Sequence, residues 1–355
     1  MSFSESINKE IERVIKKITA VTDENAVNYA IVTDTHYDTQ QSVGTPELVD
    51  NSVKIIRILA EKGLIDFAAH CGDITTGWRS GDSCKKHTKI VADLFKDFPC
   101  PVVFSIGNHD FNHNPETIGE NSHNYSLDGV NGKNPELLDH KEWYELTQKN
   151  FRRDTYVYGD TDPETLYFYV DIPEKKTRVV CLQSFYCTDV EKQVRFWTDK
   201  VFTITEKDWK YIFLSHAPID DRYEEGKMHH VCAGAEDLKR LVTALNTRTL
   251  ASTSVGLYDY GDFDSNAVAF NCGHMHSSYV EYNTDLKMFH STTGQTGVVG
   301  SGHFREVEAD DNATGRHKLT NDDANRYLFD IVSVTAEKYE RIRFGNGLDK
   351  TVKAE

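Results

Sequence analysis

Nine residues of the chain carry side chains that can do chemistry, and they recur in one kind of place. They are Asp34 and His36 in "TDTH", Asp73 in "CGD", Asn108, His109 and Asp110 in "GNHD", His216 in "LSH", and His274 and His276 in "GHMH". Each cluster closes a short apolar run. A turn at a strand end uses Gly and tolerates Asn, but it has no need of a His and an Asp directly behind them. As ligands, these residues make sense together. A carboxylate such as Asp73 can bridge two cations, imidazoles can complete the shells on either side, and the Asn108 carboxamide oxygen is a neutral ligand. A nitrogen-rich set without thiolate favours Mn, Fe, Zn, Co or Ni over Mg or Ca. Two such cations about 3.5–4 Å apart can share a hydroxide, fix a phosphoryl oxygen and stabilise the entering and leaving oxygens.

Those residues need a scaffold that brings distant strand ends to one edge. Asn28–Asp34, Leu64–Asp73 and Pro101–Asp110 read as apolar strands, and Pro46–Gly63 and Asp82–Phe98 as the helices between them. That is β-α-β-α-β with strands apolar on both faces, the pattern of a mostly parallel sheet covered by helices. In such sheets the site lies just past the carboxyl ends of the strands. Further strands are expected at "TLYFYVDI", "TRVVCLQS", Trp209–Pro218 and Asn266–Ser278, with a helix near Ala235–Leu245. The tail segments "YLFDIVSVT" and "YERIRFG" alternate and are expected to close a second sheet as a hairpin. The expected organisation is one domain over 1–355. It has an N-terminal amphipathic helix at 4–20, a motif core at 28–278, C-terminal strands at 279–345 and a polar loop insertion at 111–140.

Composition narrows the function classes. The 355 residues are 39% hydrophobic and 11% aromatic, enough for a folded core, and carry a formal net charge of −16. So acidic a chain offers no basic track for nucleic acid and no attraction to anionic membrane. It can still act on a phosphate if bound metal brings the positive charge. The seven cysteines (Cys71, Cys84, Cys100, Cys181, Cys187, Cys232 and Cys272) are widely spaced and contain no CxxC pair. They read as reduced thiols in a cytoplasmic protein. No stretch has the length of a membrane span, and the N-terminus has no signal-peptide core.

Asp-x-His, Gly-Asp, Gly-Asn-His-Asp, a lone His after a strand and Gly-His-x-His, in this order, resemble the calcineurin-like metallophosphoesterase superfamily. The motifs cover Asp34 to His276, and the flanking strands extend the resemblance over most of the chain. It implies a four-layer α/β/β/α sandwich and a hydrolase of phosphate esters with two divalent transition-metal ions, Mn, Fe or Zn. One ion would be held by Asp34, His36, Asp73 and His276, the other by Asp73, Asn108, His216 and His274. His109 would contact phosphate or protonate the leaving oxygen, and Asp110 would orient the residues around it. The expected reaction is attack on a phosphodiester by a hydroxide between the two ions. The alternatives are a phosphomonoesterase, such as a nucleotidase or protein phosphatase, and, more remotely, a non-catalytic binding module.

The protein Ser/Thr phosphatases of that superfamily carry Gly-Asp-x-x-Asp-Arg-Gly, whereas this chain has Gly72-Asp73-Ile74-Thr75-Thr76-Gly77. Thr76 replaces the Asp that supports the catalytic His, and Gly77 the phosphate-clamping Arg. The chain therefore looks closer to the bacterial and phage-type branch. Arg79 is a candidate substitute phosphate contact. In the 111–140 loop, Tyr125, His123 and Asn121 are candidate substrate contacts. His70, His87, His113, His123, His140, His229, His230, His290, His303 and His317 each read more simply as surface or satisfied core residues.

Overall fold

Ser4 opens the first helix by accepting the Ile7 N–H (3.3 Å), and Ile7, Ile11, Val14 and Ile18 then fall on one buried face. Here and throughout, a computed structural model describes residues 3–39, 45–77, 79–112, 137–153, 155–159, 162, 165–185, 187, 189–220, 231–296 and 324–355. The first half of the chain runs α1 (Glu5–Val21), β1 (Val27–Val32), α2 (Thr45–Glu61), β2 (Phe67–His70), α3 (Gly81–Leu94), β3 (Val102–Phe104) and α4 (His140–Leu146). It continues through β4 (Val157–Gly159), β5 (Phe168–Ile172), β6 (Thr177–Cys181), α5 (Val190–Phe196), β7 (Lys210–Leu214), α6 (Ala235–Thr247), β8 (Leu250–Thr253) and β9 (Gly256–Asp259). The remainder is β10 (Asn266–Cys272), β11 (Tyr279–Asn283), β12 (Met288–Thr292), β13 (Leu328–Val334), β14 (Lys338–Gly345) and β15 (Lys350–Lys353).

Two sheets face each other. The first has the order β15-β14-β13-β1-β2-β3, the second β11-β12-β10-β7-β6-β5-β4. β1, β2 and β3 are parallel, as are β6, β7, β10 and β12. Between the sheets, Val27, Tyr29, Ile31 and Phe67 pack against Val170, Val179, Ile212 and Leu214. On the outer face of the first sheet, Val14, Ile56, Leu59, Val91 and Trp143 cover Ala30 and Val32. On the outer face of the second, Val194, Leu238 and Leu241 cover Val180, Phe213 and Phe270. These are the four layers expected. Each large aliphatic side chain buried this way contributes about 1.5–3 kcal/mol. The sheets are also pinned by polar contacts. Asn271 Oδ1, at the end of β10, accepts the hydroxyls of Tyr29 (3.2 Å) and Tyr339 (2.8 Å) from the opposite sheet.

Several boundaries differ from expectation. The β13–β14 hairpin does not build the second sheet. It extends the first, with Val334 opposite Val27 on β1, because every residue of β13 is buried and an interior position covers both its faces. β15 lies beyond the expected limit of 345 and forms the edge, where its lysines oppose further strand addition. The expected 111–140 insertion closes on a helix. Asp139 and Glu142 form a capping box that starts α4 at His140, a signature present in "DHKE" and overlooked in the reading of the sequence. Phe111, Asn112 and Leu138 are buried, and residues 113–136 lie outside the described residues. Among the described residues no helix is long and apolar enough to cross a membrane.

Candidate metal centre

Five strand ends converge on one rim. β1 leads into Asp34 and His36, β2 into Asp73, β3 into Asn108 and His109, β7 into His216, and β10 into His274 and His276. The chain must turn sharply there, and five of these residues sit in the left-handed region: Asp34 (φ 49°), His36 (41°), Asp73 (53°), His274 (68°) and His276 (51°). Such conformations cost about 1–3 kcal/mol each and persist where the surroundings hold them. The glycines beside them are required by contact. A Cβ on Gly72 would meet His216 Nδ1 at 2.6 Å, one on Gly107 would strike the Asp73 side chain, and one on Gly273 would strike Thr33 Oγ1.

The donor atoms form two groups that share Asp73. Asp34, His36, Asp73 and His276 make the first and Asp73, His216 and His274 the second, with all donor atoms in each group within 4.8 Å of one another. Asn108 Oδ1 lies 3.2 Å from His216 Nε2, beside the second group. Across the first group, His36 Nε2 faces His276 Nε2 at 3.2 Å, and His276 Nε2 is 3.1 Å from Asp34 Oδ1. His216 Nε2 is 3.2 Å from Asp73 Oδ2.

Charge explains what the site needs. Asp34 and Asp73 are buried, and among the described residues neither has a Lys or Arg partner. Burial alone would raise the Asp34 carboxyl; the His276 and His216 imidazoles outweigh it and hold Asp34 below the usual carboxylate range. Asp73 behaves alike, held far down against burial by His216 and His109. His216 is raised to about 9, because Asp73 and Asp34 overcome its desolvation. His36 is lowered to about 3 by burial and by the nearby His109. Two carboxylates and an array of ring nitrogens turned towards one another, without thiolate or lysine, form a donor set that suits divalent transition metals. The residues therefore fit the ions the motifs imply.

Neighbouring groups fix the tautomers. A carbonyl can only accept, so His216 donates Nδ1–H to Cys71 O (2.6 Å) and turns Nε2 towards the cluster. His109 likewise donates Nδ1–H to Thr76 O (2.6 Å). The support that a carboxylate would give at position 76 is thus supplied by the main chain of Thr76. His109 also donates its backbone N–H to Asp73 Oδ1 (2.9 Å). Asp110 lies beneath the cluster, its carboxylate accepting the N–H groups of Asp73 (3.0 Å), Ile74 (2.7 Å) and Gly107 (2.8 Å). Its carboxyl is raised to about 7 by burial and then by the charge of Asp73.

Sequence reasoning missed Thr33, whose hydroxyl donates to Asp34 Oδ2 (2.7 Å), and Ser184, whose Oγ accepts the His216 N–H (2.9 Å). Ser184 ends the β6 run "VVCLQS", so the rule that polar strand ends face the site points to it. The Phe185 ring lies 5.2 Å from that of His274 and 5.8 Å from that of His216; no motif marks it. Arg79 is paired with Asp38. Tyr125, His123 and Asn121 lie outside the described residues, as do His113, His229, His230, His303 and His317. His70 bonds Thr35, His140 meets Gln183 and His290 meets Tyr279, and His87 bonds Thr39 through Nε2 while its buried Nδ1 has no partner among the described residues; all four lie outside the two groups.

Residues 27–278 match the calcineurin-like phosphoesterase family. The purple acid phosphatase PPD1 from yellow lupin (Lupinus luteus) seeds aligns over 93% of this chain and 54% of its own, at 13% identity and a TM-score of 0.54. This chain therefore spans about half the length of the lupin protein, and the likeness is one of fold. A dimetal phosphatase from Danio rerio aligns over 93% of this chain and 99% of its own, at 12% identity and a TM-score of 0.49. No curated protein matches the chain in sequence.

Proposed function

The chain belongs to the calcineurin-like phosphoesterase family and is a metal-dependent hydrolase of phosphate esters; on that premise we propose that its substrates are phosphodiesters. The observation that carries the two-metal part of the reading is the sharing of Asp73 between two groups of donors. Asp34, His36, Asp73 and His276 would hold one divalent ion, and Asp73, Asn108, His216 and His274 the other. Once bound, the ions supply Lewis acidity towards a phosphoryl oxygen and make water acidic enough to ionise near neutral pH.

The protein's own groups do the rest. His109, its Nδ1–H fixed on Thr76 O, presents Nε2 at the rim, 3.9 Å from Asp73 Oδ2, with its side chain 24% exposed. There it can contact the phosphate or give a proton to the leaving oxygen. Asp110 keeps the Asp73 turn in place. The diester preference rests on charge. A diester carries one negative charge on its phosphate and a monoester up to two. Gly77 packs so tightly on His109 (Cβ to His109 O, 2.5 Å) that no guanidinium can extend from that position towards the reacting phosphate. The seven free cysteines fit the reducing cytoplasm expected from their spacing.

The test is a substrate pair, bis(p-nitrophenyl) phosphate and p-nitrophenyl phosphate, with Mn, Fe and Zn supplied separately. We expect kcat/KM for the diester to exceed that for the monoester by about tenfold. The reverse ratio would make the protein a monoesterase. Asp73→Asn should lose both metal and turnover; full metal content with retained activity would remove the bridging role.

A further inference from the structure

Arg79 sits at the rim in an arrangement that neither ligand group explains. Its Nε donates to Asp38 Oδ2 (2.8 Å), and its Nη2 lies 2.7 Å from the same oxygen. Nη1 has no acceptor among the described residues, and the side chain is 36% exposed. Asp38 is the opposite case, with its side chain 1% exposed. The backbone of Arg79 is tied on both sides. Asn112 Oδ1 accepts its N–H (3.4 Å), and Asn112 Nδ2 donates to its carbonyl (2.6 Å). Three residues earlier the same loop holds His109 through Thr76 O. Asp38 follows His36 by two residues. Arg79 therefore links the loop of a metal ligand to the loop of His109.

An ordinary surface ion pair leaves both partners in water and contributes little. A strong structural Arg–carboxylate pair uses both oxygens in a bidentate fork. This pair does neither. A buried carboxylate holds the guanidinium by its Nε–Nη2 edge, which leaves the Nη1 edge without an acceptor among the described residues. We propose that this edge is a subsite for a second anionic group on the substrate, a carboxylate or further phosphate beyond the ester being cleaved. The inference rests on the phosphodiesterase reading and narrows it. The substrates are diesters in which one alcohol carries its own negative charge. Asp38 lowers the net positive charge of the subsite, which therefore selects by geometry as well as by attraction. The acidic surface at large would repel such a substrate, so the preference must be local.

The experiment measures competitive inhibition of bis(p-nitrophenyl) phosphate hydrolysis by the full-length, Mn-loaded protein. The inhibitors are alkyl phosphates and ω-carboxyalkyl phosphates of matched, increasing chain length. In the wild type, one chain length should show the carboxylated inhibitor binding at least about tenfold more tightly than its uncharged counterpart, an advantage that shrinks with added salt. Arg79→Gln should reduce that ratio to about twofold or less. The double variant D38N/R79Q, which removes the buried Asp38 charge together with the arginine, should do the same if Arg79→Gln alone folds poorly. The subsite is overturned if no chain length shows an advantage in the wild type, or if the advantage survives in either variant. Diester turnover without discrimination removes the subsite and leaves the phosphodiesterase reading standing. No diester turnover by metal-loaded protein removes both.

Discussion

Asp110 Oδ2 accepts the backbone N–H of Asp73 at 3.0 Å, so the residue shared by both donor groups is held from behind by a carboxylate that belongs to neither. The same carboxylate accepts the N–H groups of Ile74 and Gly107. Asp110→Asn keeps the shape but puts an amide nitrogen against at least one of these donors, whichever way the amide is turned. Metal affinity should fall by about 10–100-fold, the range seen when groups that orient ligands are lost. Isothermal titration with Mn and Zn reads this directly. Unchanged affinity with a native circular dichroism spectrum would remove Asp110 from the positioning of Asp73.

The glycines at the rim separate close approach from backbone strain. Gly107→Ala and Gly273→Ala place a methyl against Asp73 and against Thr33 and Asp34 respectively, and both should abolish stoichiometric metal binding. Gly63→Ala is the matched comparison. Gly63 has φ +67°, but a Cβ there meets nothing within 4 Å. It should cost about 1–2 kcal/mol of stability through the left-handed conformation alone and leave the metal content intact. Thermal denaturation paired with metal analysis distinguishes the two classes. Full metal content in Gly107→Ala would show that the rim can relax.

The loops that carry the candidate ligands are legible in the sequence because each lies where an apolar run stops at a Gly or a polar pair, and the topology of parallel strands brings such ends together. Asp34, Asp73 and His276 needed only order and spacing. What supports them was harder to read. The Thr76 main-chain carbonyl takes the place of a side chain, and a backbone atom leaves no trace in residue type. Ser184 and Thr33 act through single hydroxyls on otherwise apolar strands. The sequence predicts the β13–β14 hairpin but not its place in the first sheet, because alternation identifies a strand without naming its neighbour. α4 and β15 were overlooked, being short elements with weak periodicity.

The metal-free protein should lose stability as pH rises, and the metal-loaded protein should not. In the folded metal-free chain His216 is raised to about 9, against about 6.5 for an unperturbed imidazole. Its folded state holds the proton more tightly, so this contribution is complete below pH about 6.5 and disappears as pH passes through about 9. Metal requires the neutral ring, so metal affinity should climb over the same interval. Tm measured from pH 6 to 9.5 with EDTA and with Mn should diverge steadily. Parallel profiles would mean that His216 carries no extra proton in the metal-free fold.

Behind the rim, Arg343 and Asp330 form a fully buried ion pair on neighbouring strands of the first sheet, with Arg343 Nε 2.6 Å from Asp330 Oδ1. Asp330 Oδ2 accepts the hydroxyl of Thr293 (2.8 Å). Three residues on, Thr296 donates its N–H to Thr33 O (3.0 Å), next to Asp34. Arg343→Met strands a carboxylate in the interior and should cost about 3–5 kcal/mol in urea denaturation. The double variant D330N/R343M should recover much of that, because no uncompensated charge remains. If the double variant is as unstable as the single one, the loss comes from packing around the Arg343 side chain, and the charge of Asp330 is compensated by other means.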